Sequence, residues 1–295
     1  MSRMVALILH YRTPARTQGC IESLLTAGCR DIVIVDNSAD HGRSMKIVTD
    51  TLPGLQADGI SLTVVDAGRN LGFAAGVNLG LRHARARGPV RVMLINSDAR
   101  IQRDSLSQAQ ALLDDGAELV VPEDEAAHGG PANHYARFLG LVLPFNGPGM
   151  IPMLSGALLF ISERLAADDI FDEAFFFYGE DVELAWRLAH EGRKVVRCPT
   201  AVFQHEGAAS ARRGSLFYEY HTARGHWLLA SRLNPGVLPC LLAILGRCLI
   251  LPMRAAWRSL RARRLAPVQG LVLATTDVFR GKNRDLTPPL DPGQG

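Results

Sequence analysis

Residues 92–98 read Val-Met-Leu-Ile-Asn-Ser-Asp, four apolar residues that break into three polar ones with an aspartate last. A short apolar run bounded by turn residues is the pattern of a strand buried on both faces. Working outward, Met4–Leu9, Ile32–Val35 and Leu62–Val65 have the same form and run into His10, Asp36-Asn37-Ser38 and Asp66. Helical stretches fill the gaps. Thr13 and Pro14 supply an N-cap and a first-turn proline for one that Gly28 closes; a second covers Ala74–Arg87, and a third begins near Asp104. Leu119–Val121 is a candidate fifth strand. Strands alternating with helices at this spacing predict right-handed βαβ units, hence an α/β fold with a mostly parallel central sheet flanked by helices. Asp36, Asp66 and Asp98 then share the carboxyl edge of that sheet, the edge where open α/β sheets bind ligands.

The second half of the chain has a different texture. Gly129–Met153 is rich in Gly and Pro and reads as a long loop. Leu154–Ile161 is apolar again, and an aromatic run, Phe175-Phe176-Phe177-Tyr178, leads through Gly179 into a helix that begins near Glu180-Asp181 and ends at Glu191. Val195–Arg197 and Ala201–Gln204 read as short strands, the latter running into His205, and a helix covers Leu216–Leu233.

Composition excludes several classes. The 295 residues are 47% hydrophobic and 21% charged, enough to bury a sizeable core, and a net charge of +3 is too small for a nucleic-acid partner. The charge is unevenly spread. Residues 236–284 hold nine Arg or Lys and one acid, Asp277, a local balance of +8 that leaves −5 for the rest. Five cysteines without CxxC spacing fit reduced thiols, and Val5–Leu9 is too short for a signal-peptide core.

The turn after the first strand, His10-Tyr11-Arg12-Thr13-Pro14, has no glycine, and no GxxxxGK[ST] occurs. That argues against dinucleotide enzymes and P-loop NTPases. Another way to hold a diphosphate is a divalent cation with few protein ligands. Asp98 and His205, each at the end of a strand, are candidates, although a turn acid and a core histidine would look the same. Glu180 or Asp181, beside an aromatic wall that strips water, is a candidate general base, and acids in a first helical turn also have a structural reason to be there. The segment Asn70-Leu71-Gly72-Phe73-Ala74-Ala75-Gly76-Val77-Asn78 brings backbone close either to a ligand or to a packed sheet.

Six pieces occur in a telling order: Val35-Asp36-Asn37-Ser38, Asn70 to Asn78, Leu94 to Asp98, Ser155-Gly156-Ala157, Phe177 to Arg187, and His205-Glu206-Gly207. Together they resemble the family 2 glycosyltransferases of the GT-A fold, and within them the non-processive, rhamnosyltransferase-like branch. The resemblance implies an inverting, metal-dependent transfer of a single sugar from a nucleotide-sugar donor to a glycan or lipid-linked glycan acceptor. It implies dTDP-L-rhamnose as the first donor to test and a UDP-hexose as the next, a non-catalytic nucleotide-sugar-binding or glycan-binding relative being the remaining alternative. It makes Asp181 the catalytic base, with Mg2+ or Mn2+ on Asp98 and His205. It places donor contacts at Tyr11, Asp36, Asn70, Gly72, Asn78, Asn96, Gly156, Glu180 and Arg187. Two departures stand out: Asn96 occupies the first position of the DxD-like motif, and Arg12 follows Tyr11 where the family often has Asn.

Residues 1–235 are then the catalytic domain and 236–295 a basic, apolar C-terminal appendage. Val237–Leu251 is strongly apolar but short for a membrane span. After it, Met253, Ala256, Trp257 and Leu260 share a helical face from which Arg254, Arg258, Arg261, Arg263 and Arg264 largely depart. The expectation is a peripheral contact with the anionic inner face of the cell membrane from the cytoplasmic side. A packing helix or a dimer contact is the other reading.

Overall fold

The computed structural model describes residues 3–51, 59–125, 133–154, 156–205, 214–284 and 286. In chain order the elements are β1 (Met4–His10), α1 (Pro14–Thr26), β2 (Asp31–Asp36), α2 (Arg43–Thr51), β3 (Ser61–Asp66), α3 (Gly72–Arg85), β4 (Arg91–Asn96), β5 (Ala99–Ile101), α4 (Ser105–Asp114) and β6 (Leu119–Asp124). They continue with β7 (His134–Ala136), β8 (Leu141–Leu143), β9 (Met150–Pro152), β10 (Leu158–Ile161), α5 (Glu163–Ala166), α6 (Glu180–His190), β11 (Val195–His205), α7 (Leu216–Arg232), α8 (Val237–Ala262) and α9 (Ala266–Phe279). Two compact units interleave along the sequence. The first comprises Met1–Gly130, Leu154–Glu173 and Arg187–Gly207; the second comprises Pro131–Met153, Ala174–Trp186 and Ala208–Gly295. The expected division at residue 235 falls between α7 and α8.

The first unit carries an eight-stranded sheet in the order β3-β2-β1-β4-β10-β6-β11-β5. The expected strands form and pair in parallel at β3-β2-β1-β4 and β6-β11. β10 runs antiparallel between β4 and β6, and β5 antiparallel on β11. Val5 to Ile8 and Val92 to Ile95 are fully buried, as strands covered on both faces must be. The two short strands expected at 195–204 are one strand, β11, whose register shifts between Cys198 and Val202, around Pro199, which has no N–H for the ladder.

Glycines decide how closely α3 lies on the sheet. A Cβ on Gly76 would meet Leu9 Cδ1 at 2.6 Å, and one on Gly80 would collide with Leu7 Cδ1 and reach Val35 Cγ2 at 2.9 Å. Gly76 therefore serves helix–sheet packing, one of the two readings the sequence left open for this segment.

In the second unit the stretch read as a long loop is a small antiparallel sheet, β8-β7-β9. Its strands are three residues each, too short for periodicity to show, and the intervening Gly and Pro mark its turns. α8 is a single helix of 26 residues with Pro252 inside it, where the sequence suggested an apolar run followed by a separate amphipathic helix. By length and composition it is long and apolar enough to cross a membrane.

The α3 contact yields a first prediction. Gly80→Val should destabilise the protein by about 1–3 kcal/mol through overpacking against Leu7 and Val35. A urea midpoint equal to that of the wild type would refute the close approach of α3.

Candidate functional site

In the first unit the strand register lines up the polar strand ends. His10 pairs with Asp36, Asp36 with Asp66, and Leu9 with Asn96. Asp36 is buried, and its carboxylate accepts the Ser38 N–H at 3.0 Å. His10 lies beneath, also buried, with Thr17 Oγ1 at 2.7 Å from Nδ1 and Ser44 Oγ at 3.0 Å from Nε2. Burial holds its pKa below the ordinary histidine value despite the opposing fields of Asp36 and Asp40. Half-buried Tyr11 carries the Arg12 guanidinium 5.3 Å from its ring centroid. Arg12 has φ 51°, and its backbone N–H and Nε bond to Ser38. Asn and Asp adopt that left-handed conformation more readily than other side chains, which is a physical reason for an asparagine at such a position.

Asn37 is the hub of the neighbouring loop, and the sequence reading gave it no role of its own. Buried at 2% exposure, it donates to Asn70 Oδ1 at 2.9 Å and to the Gly72 carbonyl at 3.1 Å, and accepts from the Leu71 N–H at 2.8 Å. Asn70 Oδ1 also accepts from the Gly72 N–H at 3.0 Å, and Gly72 has φ 80°. The Asn70–Gly72 turn is thus a built element at the sheet edge. Asn78 corrects the sequence expectation. It is fully buried, donates to the Phe171 carbonyl at 2.8 Å and to Glu173 at 3.2 Å, and accepts from the Phe171 N–H at 3.2 Å. Its amide is committed to the frame and is not presented to a ligand.

The Asn96-Ser97-Asp98 turn lies between β4 and β5, and all three residues are half-buried. Asn96 N–H bonds to the Ala157 carbonyl at 2.8 Å, and Ser97 Oγ lies 3.4 Å from Thr13 Oγ1. Gly156 sits beside this pairing, with Phe73 Cζ 4.0 Å from where its Cβ would be. β5 pairs with β11 so that Ala99, the residue after Asp98, stands opposite His205. The side chain of His205, and Ser155, Glu206 and Gly207 of the motifs above, lie outside the described residues. A carboxylate oxygen and an imidazole nitrogen suit Mg2+ or Mn2+ as a donor set, and the register brings their backbones to neighbouring positions. Among the described residues no group of three or more His, Cys, Asp or Glu could hold a metal ion.

Arg187, near the carboxyl half of α6, donates to the Ile170 carbonyl at 2.5 Å within the first unit. Glu180 and Asp181 belong to the second unit, at the amino end of α6. Two successive residues with positive φ precede them, Tyr178 at 66° and Gly179 at 102°. A side chain on Gly179 would meet the Phe175 ring at 2.9 Å, and Gly225 on α7 admits the Tyr178 carbonyl against its Cα. Phe176 stacks on His221 at 4.7 Å between ring centroids, and Tyr178 meets Tyr218 edge-on at 5.1 Å. Glu180 is buried with Oε2 unbonded among the described residues, whereas Asp181 keeps part of its surface exposed and accepts the Val182 N–H at 2.9 Å. Burial pushes both carboxyls up, Glu180 to about 8, where the Asp181 charge adds to the effect, and Asp181 to about 6. A carboxyl raised by folding adds stability below its unfolded pKa and loses that contribution as pH rises through the folded value. This pair is therefore held against stability at neutral pH. Near pH 7 the arrangement favours a protonated Glu180 beside an ionised Asp181.

Residues 6–137 match the model of glycosyl transferase family 2. Over 220 residues the chain is 26% identical to galactofuranosyltransferase GlfT1 of Mycobacterium tuberculosis, an overlap of 68% of this chain and 69% of that protein. Over 221 residues it is 21% identical to the low-salt glycan biosynthesis hexosyltransferase Agl10 of Haloferax volcanii, 70% of this chain and 68% of that one. In fold it resembles the mannosyltransferase PcManGT from Pyrobaculum calidifontis, solved with GDP-Man and Mn2+. That match has a TM-score of 0.58 at 17% identity and covers 96% of this chain and 88% of that one. It also resembles residues 1–349 of S. aureus TarS, with a TM-score of 0.52 at 15% identity, covering 95% and 92%. Residues 6–137, under half of the 295, thus carry the glycosyl transferase family 2 match; the chain is similar to glycosyltransferases over more of its length, and its fold resembles that of solved GT-A-like ones.

Proposed function

We propose that the enzyme transfers one sugar with inversion, from a nucleotide-sugar held at the carboxyl edge of the large sheet to a glycan acceptor, with Asp181 as general base. The observation that carries this reading is the Glu180–Asp181 pair, two adjacent carboxyls at one helix start of which only the partly exposed one is poised to be ionised. Asp181 takes the proton of the acceptor hydroxyl as that oxygen attacks the anomeric carbon from the face opposite the leaving diphosphate. One displacement inverts the configuration, and no covalent intermediate forms on the protein.

Asp36 receives the donor's base, Tyr11, Asn70, Gly72, Asn96 and Gly156 shape the donor pocket, and Glu180 and Arg187 support it. Asp98 and His205 hold Mg2+ or Mn2+, which when bound supplies charge neutralisation for the departing diphosphate. dTDP-L-rhamnose is the first donor to test. A UDP-hexose is the second, favoured by relatives that carry the names galactofuranosyltransferase and hexosyltransferase.

We also propose that the second unit rests on an anionic bilayer at the cytoplasmic face of the cell membrane. Leu238, Leu245, Leu249, Met253, Trp257 and Leu260 form one exposed stripe along α8, and Leu265, Val272 and Phe279 are exposed on or beside α9. Exposed Arg261, Arg263 and Arg264 flank the end of the stripe. Arg254 and Arg258 do not belong to this face. They turn inward, Arg254 to the Gly140 carbonyl at 3.0 Å and Arg258 to Glu219 at 2.6 Å, because α8 packs its arginine side on the protein.

Asp181→Asn should lower kcat by roughly 10²–10⁴-fold with donor binding nearly intact. Wild-type kcat/KM should climb as pH rises through about 6, because the base works only once ionised. Near-normal turnover of the variant would move the role to another group.

Chelation with EDTA should abolish transfer, and Mg2+ or Mn2+ should restore it with a half-saturating concentration raised in Asp98→Asn. Full activity in chelator would remove the cation from the scheme.

The wild-type chain should sediment with vesicles containing phosphatidylserine, and Leu245→Asp combined with Leu249→Asp should release it without loss of helix. Equal sedimentation of both proteins would mean that the stripe meets something other than lipid.

A further inference from the structure

Phe176, Phe177 and Tyr178 put three aromatic side chains in a row just ahead of the Glu180–Asp181 pair, in an arrangement that core packing alone does not call for. Tyr178 has φ 66°, a left-handed conformation that a bulky side chain rarely adopts, and strain of this kind persists only where its surroundings over-determine it. Here α7 supplies those surroundings. The N-cap hydroxyl of Ser215 accepts the Tyr218 N–H at 3.2 Å and fixes the first turn of that helix. Tyr218, His221 and Gly225 then fall at i, i+3 and i+7 on one helical face. The Tyr178 ring meets Tyr218 at 5.1 Å, and the Phe176 ring stacks on His221 at 4.7 Å. The Tyr178 carbonyl lies against the Cα of Gly225, where any Cβ would collide with it.

Burial divides the cluster. Phe175, Phe217 and Tyr220 are buried and serve as core. Phe176, Phe177, Tyr178 and Tyr218 keep part of their surface in solvent, as does Asp181, three positions after Tyr178. Phe177 and Tyr178 meet edge-on at 4.3 Å with 70° between their planes, and Tyr178 and Tyr218 meet at 73°, so these rings form a stepped corner and not a flat stack. The Arg258 guanidinium, held by Glu219 at 2.6 Å, lies 5.5 Å from the Tyr218 ring centroid and steadies that ring. Tyr135, His226, Arg247 and Arg254 of the same unit, by contrast, bond to one another and to backbone carbonyls. Ligand sites are lined mainly by apolar and aromatic surface with a few polar groups placed to orient what binds. Partly wet rings beside a carboxylate match that description.

We propose that Tyr178 and Tyr218 are acceptor-binding residues: a pyranose lays its apolar C–H face on this aromatic corner and turns its hydroxyl rim toward Asp181. The role of the bound sugar as acceptor rests on the glycosyltransferase reading above; the binding itself does not. The chemistry is that of carbohydrate recognition in water. Hydroxyls around the rim of a pyranose gain little by exchanging water for protein, so selectivity comes from the C–H patch of a ring face, which the negative face of an aromatic ring attracts. Backbone strain at Tyr178 then has a use. It fixes the angle between the two tyrosines, and a fixed corner selects a rigid six-membered ring over an open-chain polyol.

The test is saturation-transfer NMR on the full chain, in EDTA and without nucleotide, which reads a weakly bound sugar with no turnover. The probes are methyl β-D-galactopyranoside, methyl α-D-mannopyranoside and methyl α-L-rhamnopyranoside, with sorbitol as the open-chain control. At least one glycoside should show saturation concentrated on the C–H protons of one ring face, and sorbitol should show none. Tyr218→Leu, which keeps bulk and helix propensity but loses the ring, should weaken half-saturation by about tenfold; Tyr218→Phe, which keeps the ring, should stay within about twofold of the wild type. Tyr178→Gly is the second variant. Glycine accepts φ 66° without strain, so helix content should hold while the sugar signal falls. No saturation of any glycoside, equal saturation of sorbitol, a curve unchanged in Tyr218→Leu or in Tyr178→Gly, or an equal loss in Tyr218→Phe would overturn the proposal. A separate titration with a nucleoside diphosphate and Mg2+ reads the donor site; its failure would count against the transferase scheme and leave the aromatic corner standing.

Discussion

The hydrogen-bond register of the parallel strands is the constraint on which the polar carboxyl edge of the large sheet depends. His10, Asp36 and Asp66 stand in one row, with Asn96 opposite Leu9 in the next pairing. A slip of one residue would turn each of these side chains to the other face of the sheet and carry the buried runs of β1, β2 and β4 with it. The register is held because those runs are apolar on both faces, and because α3 presents glycines where Leu7, Leu9 and Val35 rise to meet it. Asn37 then ties the Asn70–Gly72 turn to the sheet edge at three points.

The second unit follows a different rule. Its aromatic wall and its tight Tyr178-Gly179 turn keep the start of α6 dry, so that two carboxyls sit where water would ordinarily hold them ionised. The same unit buries Arg247 with no acid against it among the described residues. Placing an unpaired charge in an interior is costly, and here carbonyl oxygens and one tyrosine hydroxyl offset that cost. Groups kept in unfavourable protonation or charge states mark functional regions more reliably than groups at rest.

Much of the candidate site was legible because its residues sit at strand and helix ends, where chain order and apolar periodicity locate residues without tertiary detail. Asp36, Asp98 and the Glu180-Asp181 pair are candidates of that kind, and the structure puts them at the end of β2, between β4 and β5, and at the start of α6. Asn78 was misread because an asparagine in a glycine-rich segment looks the same whether its amide faces a ligand or, as here, the Phe171 backbone 93 residues away. Arg254 and Arg258 were misread because a helical wheel shows two faces without saying which one is outward. An apolar stripe is ordinarily the buried one, and α8 inverts that.

The sequence by itself determined the α/β order and the four parallel strands from β3 to β4, because each is set by local pattern and spacing, and its motifs carried the resemblance to family 2 glycosyltransferases. Tertiary structure alone decided the small β8-β7-β9 sheet, the hub role of Asn37, the protonation bias between Glu180 and Asp181, and the joining of Tyr135, His226, Arg247 and Arg254. Those depend on contacts between residues distant in the chain and on water excluded by them, and neither quantity is written in the order of residues along a single segment.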